Sequence, residues 1–296
     1  MSYNIFYGPL KKNGDPREIE EPPEPVKKFQ KTIMEKLRQN VDFEDFSYCR
    51  KDKGPKRALT KFEEYRDYGF RWIASIDVKN CFPSIDPDKA IGLLDTRLNI
   101  PEISGRDGLP QGHPISPFLA NVYLDQWDKK VSSWNDCQVI RYMDDIWLMC
   151  KYEEEAISHS NLAEDILADL GLEVRKKVQH VNEGINCLGY IIYQDYKKIN
   201  PEKIREFIEK VKTLVYYANY YNDPRDRQEC IQRLHDTVQG YEQHYEDNPA
   251  PWRETVHTVQ EAVGAFGSTE KQTTIEQKPG ETTSGFSVGC TNESPK

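Results

Sequence analysis

The chain has 296 residues, 37% of them apolar and 30% charged, with a net charge of −9 at neutral pH. That balance supports one large packed domain or two smaller ones and excludes a disordered chain. No apolar run approaches the roughly 18 residues a membrane span needs, and seven cysteines without a C-x-x-C pair suggest neither a disulfide framework nor a zinc site.

In chain order, residues 3–20 read as two short strands around a turn at Asn13-Gly14. Residues 24–40 read as an amphipathic helix started by prolines, and residues 71–77, RWIASID, as a strand ending on an aspartate. Pro87-Asp88 opens a helix expected to run to about Leu98, and residues 99–115 form a Gly- and Pro-rich loop. A helix follows from Ser116 to about Ser132, with Pro117 at its first position. QVIRYMDDIWLMC, residues 138–150, is two apolar strand runs around a tight turn. A helix over 153–170 closes at Gly171, followed by a strand at 172–175 and a hairpin around 184–193. From Pro201 to about Phe266 the pattern is helical in three pieces, broken near Pro224 and near Pro249. The last thirty or so residues are polar and Ser/Thr/Gly-rich, as in a disordered tail. The N-terminal stretch lacks the basic-then-apolar order of a signal peptide, so the expected location is cytoplasmic.

Three segments carry chemistry. Tyr142-Met143-Asp144-Asp145 lies between two apolar runs, where β-forming sequence ordinarily avoids adjacent acids. Asp77 ends a separate strand, with Phe82 five residues on. Acids brought together from separate strands can hold two divalent cations roughly 3.5–4 Å apart, and such chemistry needs no side-chain nucleophile. Gly108-Leu109-Pro110-Gln111-Gly112-His113-Pro114-Ile115-Ser116-Pro117 is a loop whose glycines let backbone approach a ligand closely. Each segment taken alone also fits a plain reading: a polar hairpin turn, a strand end, a loop before a helix.

In this order the segments resemble the reverse transcriptase family. IASIDVKNCFPSID looks like its first catalytic motif, GLPQGHPISPFLANVYLDQWD like the motif supporting the templating base pair, and RYMDDIWLM like the Y-x-D-D hairpin. LADLGLEVRKKVQ resembles the helix–strand motif that follows, NCLGYII the primer-grip hairpin, and PLKKNGDPREIEEPPEPVKKFQKTI the fingers segment of bacterial members. The resemblance covers about residues 3–195. It implies an α+β right-hand polymerase fold: fingers over 1–70, a ferredoxin-like palm over 71–195 and a helical thumb over 196–266, with the tail at 267–296.

It also implies roles. Asp77 and Asp144 would be ligands of two Mg²⁺ (or Mn²⁺) ions, with Asp145 completing the acidic cluster. Phe82 would be the steric gate against a ribose 2′-hydroxyl, Gln111 would contact the incoming nucleotide or nascent pair, and Met143 the primer end. Lys12 and Arg17 would meet the triphosphate, a planar guanidinium suiting phosphate oxygens. Lys177 would protonate the leaving pyrophosphate, although Val178 occupies the spacing expected for that lysine. The partners implied are an RNA template, a DNA primer or product and dNTPs, with no membrane and with an oligomer or partner protein open. A nucleic-acid binder is more often basic than this chain, but phosphate contacts follow local charge, and Lys11-Lys12, Lys27-Lys28, Arg50-Lys51-Asp52-Lys53 with Lys56-Arg57, and Arg175-Lys176-Lys177 form basic clusters.

The chain carries no N-A-x-x-H segment and no V-T-G after the hairpin, unlike retron enzymes, and is shorter than a full maturase. A compact bacterial enzyme tied to phage defence, working with a dedicated non-coding RNA, is the expected setting. A catalytically inactive RNA-binding scaffold and an RNA-dependent RNA polymerase are the alternatives; three retained acids argue against the first and Phe82 against the second.

Overall fold

The computed structural model describes residues 3–10, 16–50, 52–94, 100, 102–220 and 223–245. Two compact units divide the chain, 1–207 and 208–296.

The first unit opens with β1 (Asn4–Leu10) and β2 (Pro16–Glu21), paired antiparallel. The turn at Asn13-Gly14 and Lys12 lie outside the described residues. Helix α1 (Glu24–Arg38) has a proline and Glu24 in its first turn and Lys36 and Arg38 in its last, matching the helix dipole. Helix α2 (Gly54–Asp67) was not legible in the sequence. Its apolar positions, Ala58, Leu59 and Phe62, are few and sit among Lys, Arg and Glu, yet all three are buried.

A four-stranded antiparallel sheet forms the centre. Its strands are β3 (Trp72–Val78), β4 (Cys137–Tyr142), β5 (Asp145–Cys150) and β6 (Val174–His180), in the order β4-β5-β3-β6. Between β3 and β4 come α3 (Cys81–Ser84), α4 (Pro87–Gly92) and α5 (Ser116–Val131); α6 (Glu153–Asp169) joins β5 to β6. With α5 and α6 as the crossovers this is a β-α-β-β-α-β unit, the ferredoxin-like arrangement expected of the sheet. Alternation along β3 sends Ala74, Ile76 and Val78 into one core with Leu119, Leu124 and Trp127 of α5 and Ala163 and Leu167 of α6. Ser75 and Asp77 therefore share the other face.

Two boundaries differ from the sequence reading. The strand expected at 172–175 runs Val174–His180. It is an edge strand, and its Arg175-Lys176-Lys177 run, common on edges, disguised the pairing. The helix expected to reach Leu98 is regular only to Gly92, its start capped by Asp86, whose carboxylate accepts from the amides of Asp88 and Lys89; residues 95–98 lie outside the described set.

A second sheet of β7 (Ile185–Cys187), β8 (Tyr190–Ile192) and β9 (Lys197–Ile199) covers part of the Asp77 face. The Trp147 indole, on that face of β5, donates to the Asn186 carbonyl at 3.1 Å. Arg66 of α2 donates to the Tyr193 carbonyl at 3.0 Å, and Lys197 pairs with Glu63 at 3.0 Å. β9 had no counterpart in the sequence reading.

Helix α7 (Pro201–Tyr220) runs into the second unit. There α8 (Pro224–His244) starts at Asp223, whose side chain accepts from the Arg225 amide at 2.7 Å. Leu234, Thr237 and Val238 are its buried positions. The third helical piece and the tail lie outside the described residues. Among the described residues no helix is long and apolar enough to cross a membrane.

Candidate active site

The antiparallel register sets Asp77 of β3 directly opposite Asp145 of β5. Directly opposed residues project to the same face with their Cβ atoms about 5 Å apart. Asp144 occupies the tip of the β4–β5 hairpin, and its carbonyl accepts from the Val78 amide at 3.2 Å, which ties the tip to the end of β3. The three acids expected to act together therefore come from two strands and one turn at a single edge of the sheet.

That turn is strained. Met143 has φ +56°, while Asp144 keeps a negative φ. This sign pattern is that of a type II′ turn, whose first central position is usually glycine. A side chain held there costs on the order of 1–3 kcal/mol and persists only when its surroundings over-determine it.

On the next strand Arg175 lies opposite Asp77, with Nη1 3.9 Å from Oδ2. Among the described residues no three His, Cys, Asp or Glu side chains already form a metal-ligating group. The donor set still fits Mg²⁺, a hard cation commonly held by one or two carboxylates together with substrate phosphate oxygens.

Directly before the turn lies a residue the sequence reading passed over. Arg141 is fully buried, and its Nε and Nη2 grip the equally buried Asp128 of α5. Burial pushes the Asp128 carboxyl above its ordinary value, against the pull of the Arg141 charge. The available signal was a lone arginine inside the apolar run QVIRYM, on the core-facing phase of the strand.

Phe82 sits on α3, partly buried against the core, with its carbonyl accepting from the Leu109 amide at 2.9 Å. The Gly108–Pro117 loop runs between α3 and β2 with almost no clearance. A Cβ on Gly108 would lie 2.4 Å from the Pro83 carbonyl oxygen, and one on Gly112, at φ +104°, 2.5 Å from that of Glu20. The Glu20 amide donates to the Gln111 carbonyl at 2.8 Å.

Side chains lock the same contact. Arg106 forms two 2.8 Å bonds to the Glu20 carboxylate, and His113 Nε2 lies 3.1 Å from it. The Gln30 amide donates to His113 Nδ1 at 2.9 Å, which leaves the imidazole proton on Nε2. Arg106, with smaller help from His113, holds the Glu20 carboxyl below its ordinary value against the cost of burial; burial holds the His113 imidazole below its own. Gln111 and Phe82 are thus presented by one braced assembly rather than by a loose loop.

The register also separates Lys177 from its neighbour Lys176. Lys177 lies opposite Ser75, on the Asp77 face, and is exposed. Lys176 points to the other face and pairs with Glu164 of α6 at 2.6 Å. Val178, at the expected lysine spacing, lies opposite Ala74 and packs against the core. Arg17 has its backbone in β2 opposite Gly8; its side chain, like all of Lys12, lies outside the described residues.

Residues 9–192 match the family model for reverse transcriptase (RNA-dependent DNA polymerase). The chain is 25% identical over 157 residues to the retron Ec86 reverse transcriptase of Escherichia coli, an alignment covering 48% of this chain and 49% of that one. It is 30% identical over 118 residues to the group II intron-encoded protein LtrA of Lactococcus lactis subsp. cremoris, covering 33% and 20%. A structure of telomerase from Candida albicans in complex with a fragment of telomeric RNA superposes at a TM-score of 0.49 with 14% identity, covering 83% of this chain and 56% of that one. The chain spans about half the length of the retron relative and about a fifth of the intron protein.

Proposed function

The chain belongs to the reverse transcriptase family, and from that premise we propose that it is an RNA-directed DNA polymerase, adding dNTPs to a primer 3′-hydroxyl. The observation that carries the proposal is the pairing of Asp77 with Asp145 beside a hairpin tip bonded to Val78. Asp77 and Asp144 would hold two Mg²⁺ ions, with Asp145 completing the negative cluster; when bound, such ions activate the attacking hydroxyl and neutralise charge on the leaving phosphate oxygens.

The chain's own residues set the rest. Phe82 limits the space beside the sugar of the incoming nucleotide, and Gln111 meets the nascent pair from the braced loop. Met143, at the apex of the hairpin, meets the primer end. Lys177, on the acid-bearing face, donates a proton to departing pyrophosphate. Lys12 and Arg17 contact the triphosphate from the β1–β2 hairpin. In this reading 1–70 are fingers, 71–195 palm and 196–266 thumb. The duplex is held by shape and backbone, because base pairing reads the sequence.

The setting we infer is a bacterial phage-defence system supplying a dedicated non-coding RNA as template, supported by motifs that lack the N-A-x-x-H segment and the V-T-G after the hairpin that retron enzymes carry. Sequencing the nucleic acid that copurifies from the host tests that setting.

The activity is tested by extension of a DNA primer on an RNA template with Mg²⁺, comparing the chain with Asp144→Asn. Extension by the unmodified chain alone supports the reading. Equal product from both, or none from either, leaves the RNA-binding scaffold as the better account.

A further inference from the structure

We propose that Arg141 is a positioning residue that clamps the catalytic turn in its strained conformation. The proposal rests on the polymerase reading and concerns how its acids are held.

The geometry is unusually complete. All five guanidinium N–H groups are used. Nε donates to Asp128 Oδ1 at 2.7 Å; Nη2 donates to Asp128 Oδ2 and to Ser47 Oγ, the latter at 2.8 Å. Nη1 donates to Asn121 Oδ1 at 2.9 Å and to the Met143 carbonyl at 3.1 Å. The main chain of Arg141 is held as well: its amide donates to the Phe46 carbonyl at 2.9 Å, and its carbonyl accepts from the Tyr48 amide at 2.8 Å. One side chain thus joins α5, the 46–48 segment and the turn.

Two physical arguments make this a device rather than a stabilising contact. A buried ion pair is a poor source of stability, since well-packed apolar residues of similar volume often do as well or better. Its distinctive contribution here is directional, and one of its five bonds is spent on the carbonyl of the residue that carries the positive φ. That carbonyl belongs to the Met143–Asp144 peptide, so fixing it fixes the backbone from which the Asp144 side chain departs. Without the bond, the turn can relax toward an unstrained φ and swing Asp144 away from Asp77.

The test uses two variants of the full chain. Arg141→Lys keeps a charge beside Asp128 but cannot serve all five acceptors. Arg141→Met with Asp128→Leu removes the pair without leaving a buried lone charge. Two readouts are taken: steady-state primer extension, and the ¹³C-methyl spectrum of the chain's four methionines, in which Met143 reports the turn directly.

In both variants kcat falls on the order of 100-fold, the size expected of a misplaced reacting geometry. KM for dNTP moves by less than about threefold, since a transition-state contact is what is lost. The Met143 methyl signal shifts or broadens while that of Met149, on neighbouring β5, stays in place. Wild-type kcat with an unshifted Met143 signal in either folded variant overturns the proposal. If the double variant does not fold, Arg141→Lys decides on the same criteria. A shifted Met143 signal in a chain that extends no primer even unmodified removes the polymerase reading but leaves the clamp standing.

Discussion

Replacing Gly112 with alanine places a methyl group 2.5 Å from the Glu20 carbonyl oxygen and 2.8 Å from Ile19 Cγ2. The first of these contacts is with backbone, so no side-chain rotation relieves it. The same change forces a Cβ-bearing residue to hold φ +104°, a cost of about 1–3 kcal/mol. Overpacking at a tight contact adds about 1–3 kcal/mol more. Part of this is relieved by movement of the loop, at the expense of the Glu20–Gln111 hydrogen bond. A net loss of about 3 kcal/mol is expected, which for a unit of this size lowers Tm by roughly 6–12 °C. The internal comparison is Gly171→Ala: φ there is +77°, but nothing lies within 4 Å of the added Cβ. That variant loses only the left-handed penalty of about 1 kcal/mol, or roughly 2–4 °C. Thermal unfolding of the two variants beside the unmodified chain measures the difference. Equal Tm losses for both, or a Gly112→Ala chain within roughly 2 °C of wild type, would refute the argument that the loop is wedged against β2.

Phe82→Ala is expected to admit ribonucleotides, lowering the dNTP-over-NTP ratio of kcat/KM by on the order of tenfold or more; competition between dNTP and NTP in extension measures it, and an unchanged ratio rejects the gate. Lys177→Ala should lower kcat by on the order of 100-fold if it protonates pyrophosphate, while Lys176→Ala, whose partner is Glu164, leaves the rate intact. The same loss in both, or in neither, removes that assignment. The Glu20 and His113 values are both held down, by Arg106 and by burial respectively. A depressed value contributes stability above the unfolded-state pKa, about 6.5 for His and about 4.3 for Glu, that is lost as pH falls through the folded value. Denaturant midpoints should therefore drop on acidification below about pH 6.5, and His113→Gln should flatten the first part of that slope; an identical slope counts against a buried, neutral His113 in the Glu20 contact.

The acid pair was legible because two adjacent aspartates interrupt β-forming sequence, a local contradiction that a site resolves. The strands and helices around it were legible as short apolar runs at Trp72–Val78, Cys137–Tyr142 and Asp145–Cys150 beside longer helical segments at Ser116–Val131 and Glu153–Asp169. What sequence hid is tertiary. Glu20 meets His113 across 93 residues and Arg106 across 86, separations no local pattern reports. Arg141 drew no reading of its own because its partners, Asp128, Asn121 and Ser47, are unremarkable when read one at a time. Lys176 and Lys177 became distinguishable only once β6 was in register, because neighbours on a strand face opposite ways. α2 escaped notice because its buried stripe is narrow and its charges are many.

Anomalous diffraction from Mn²⁺ in crystals of the chain with an RNA template, a chain-terminated DNA primer and the next dNTP tests the metal assignment most directly. Two peaks bridged by Asp77 and Asp144 beside the primer terminus are the expected result. Ordered primer and nucleotide with manganese lying away from both carboxylates would contradict it.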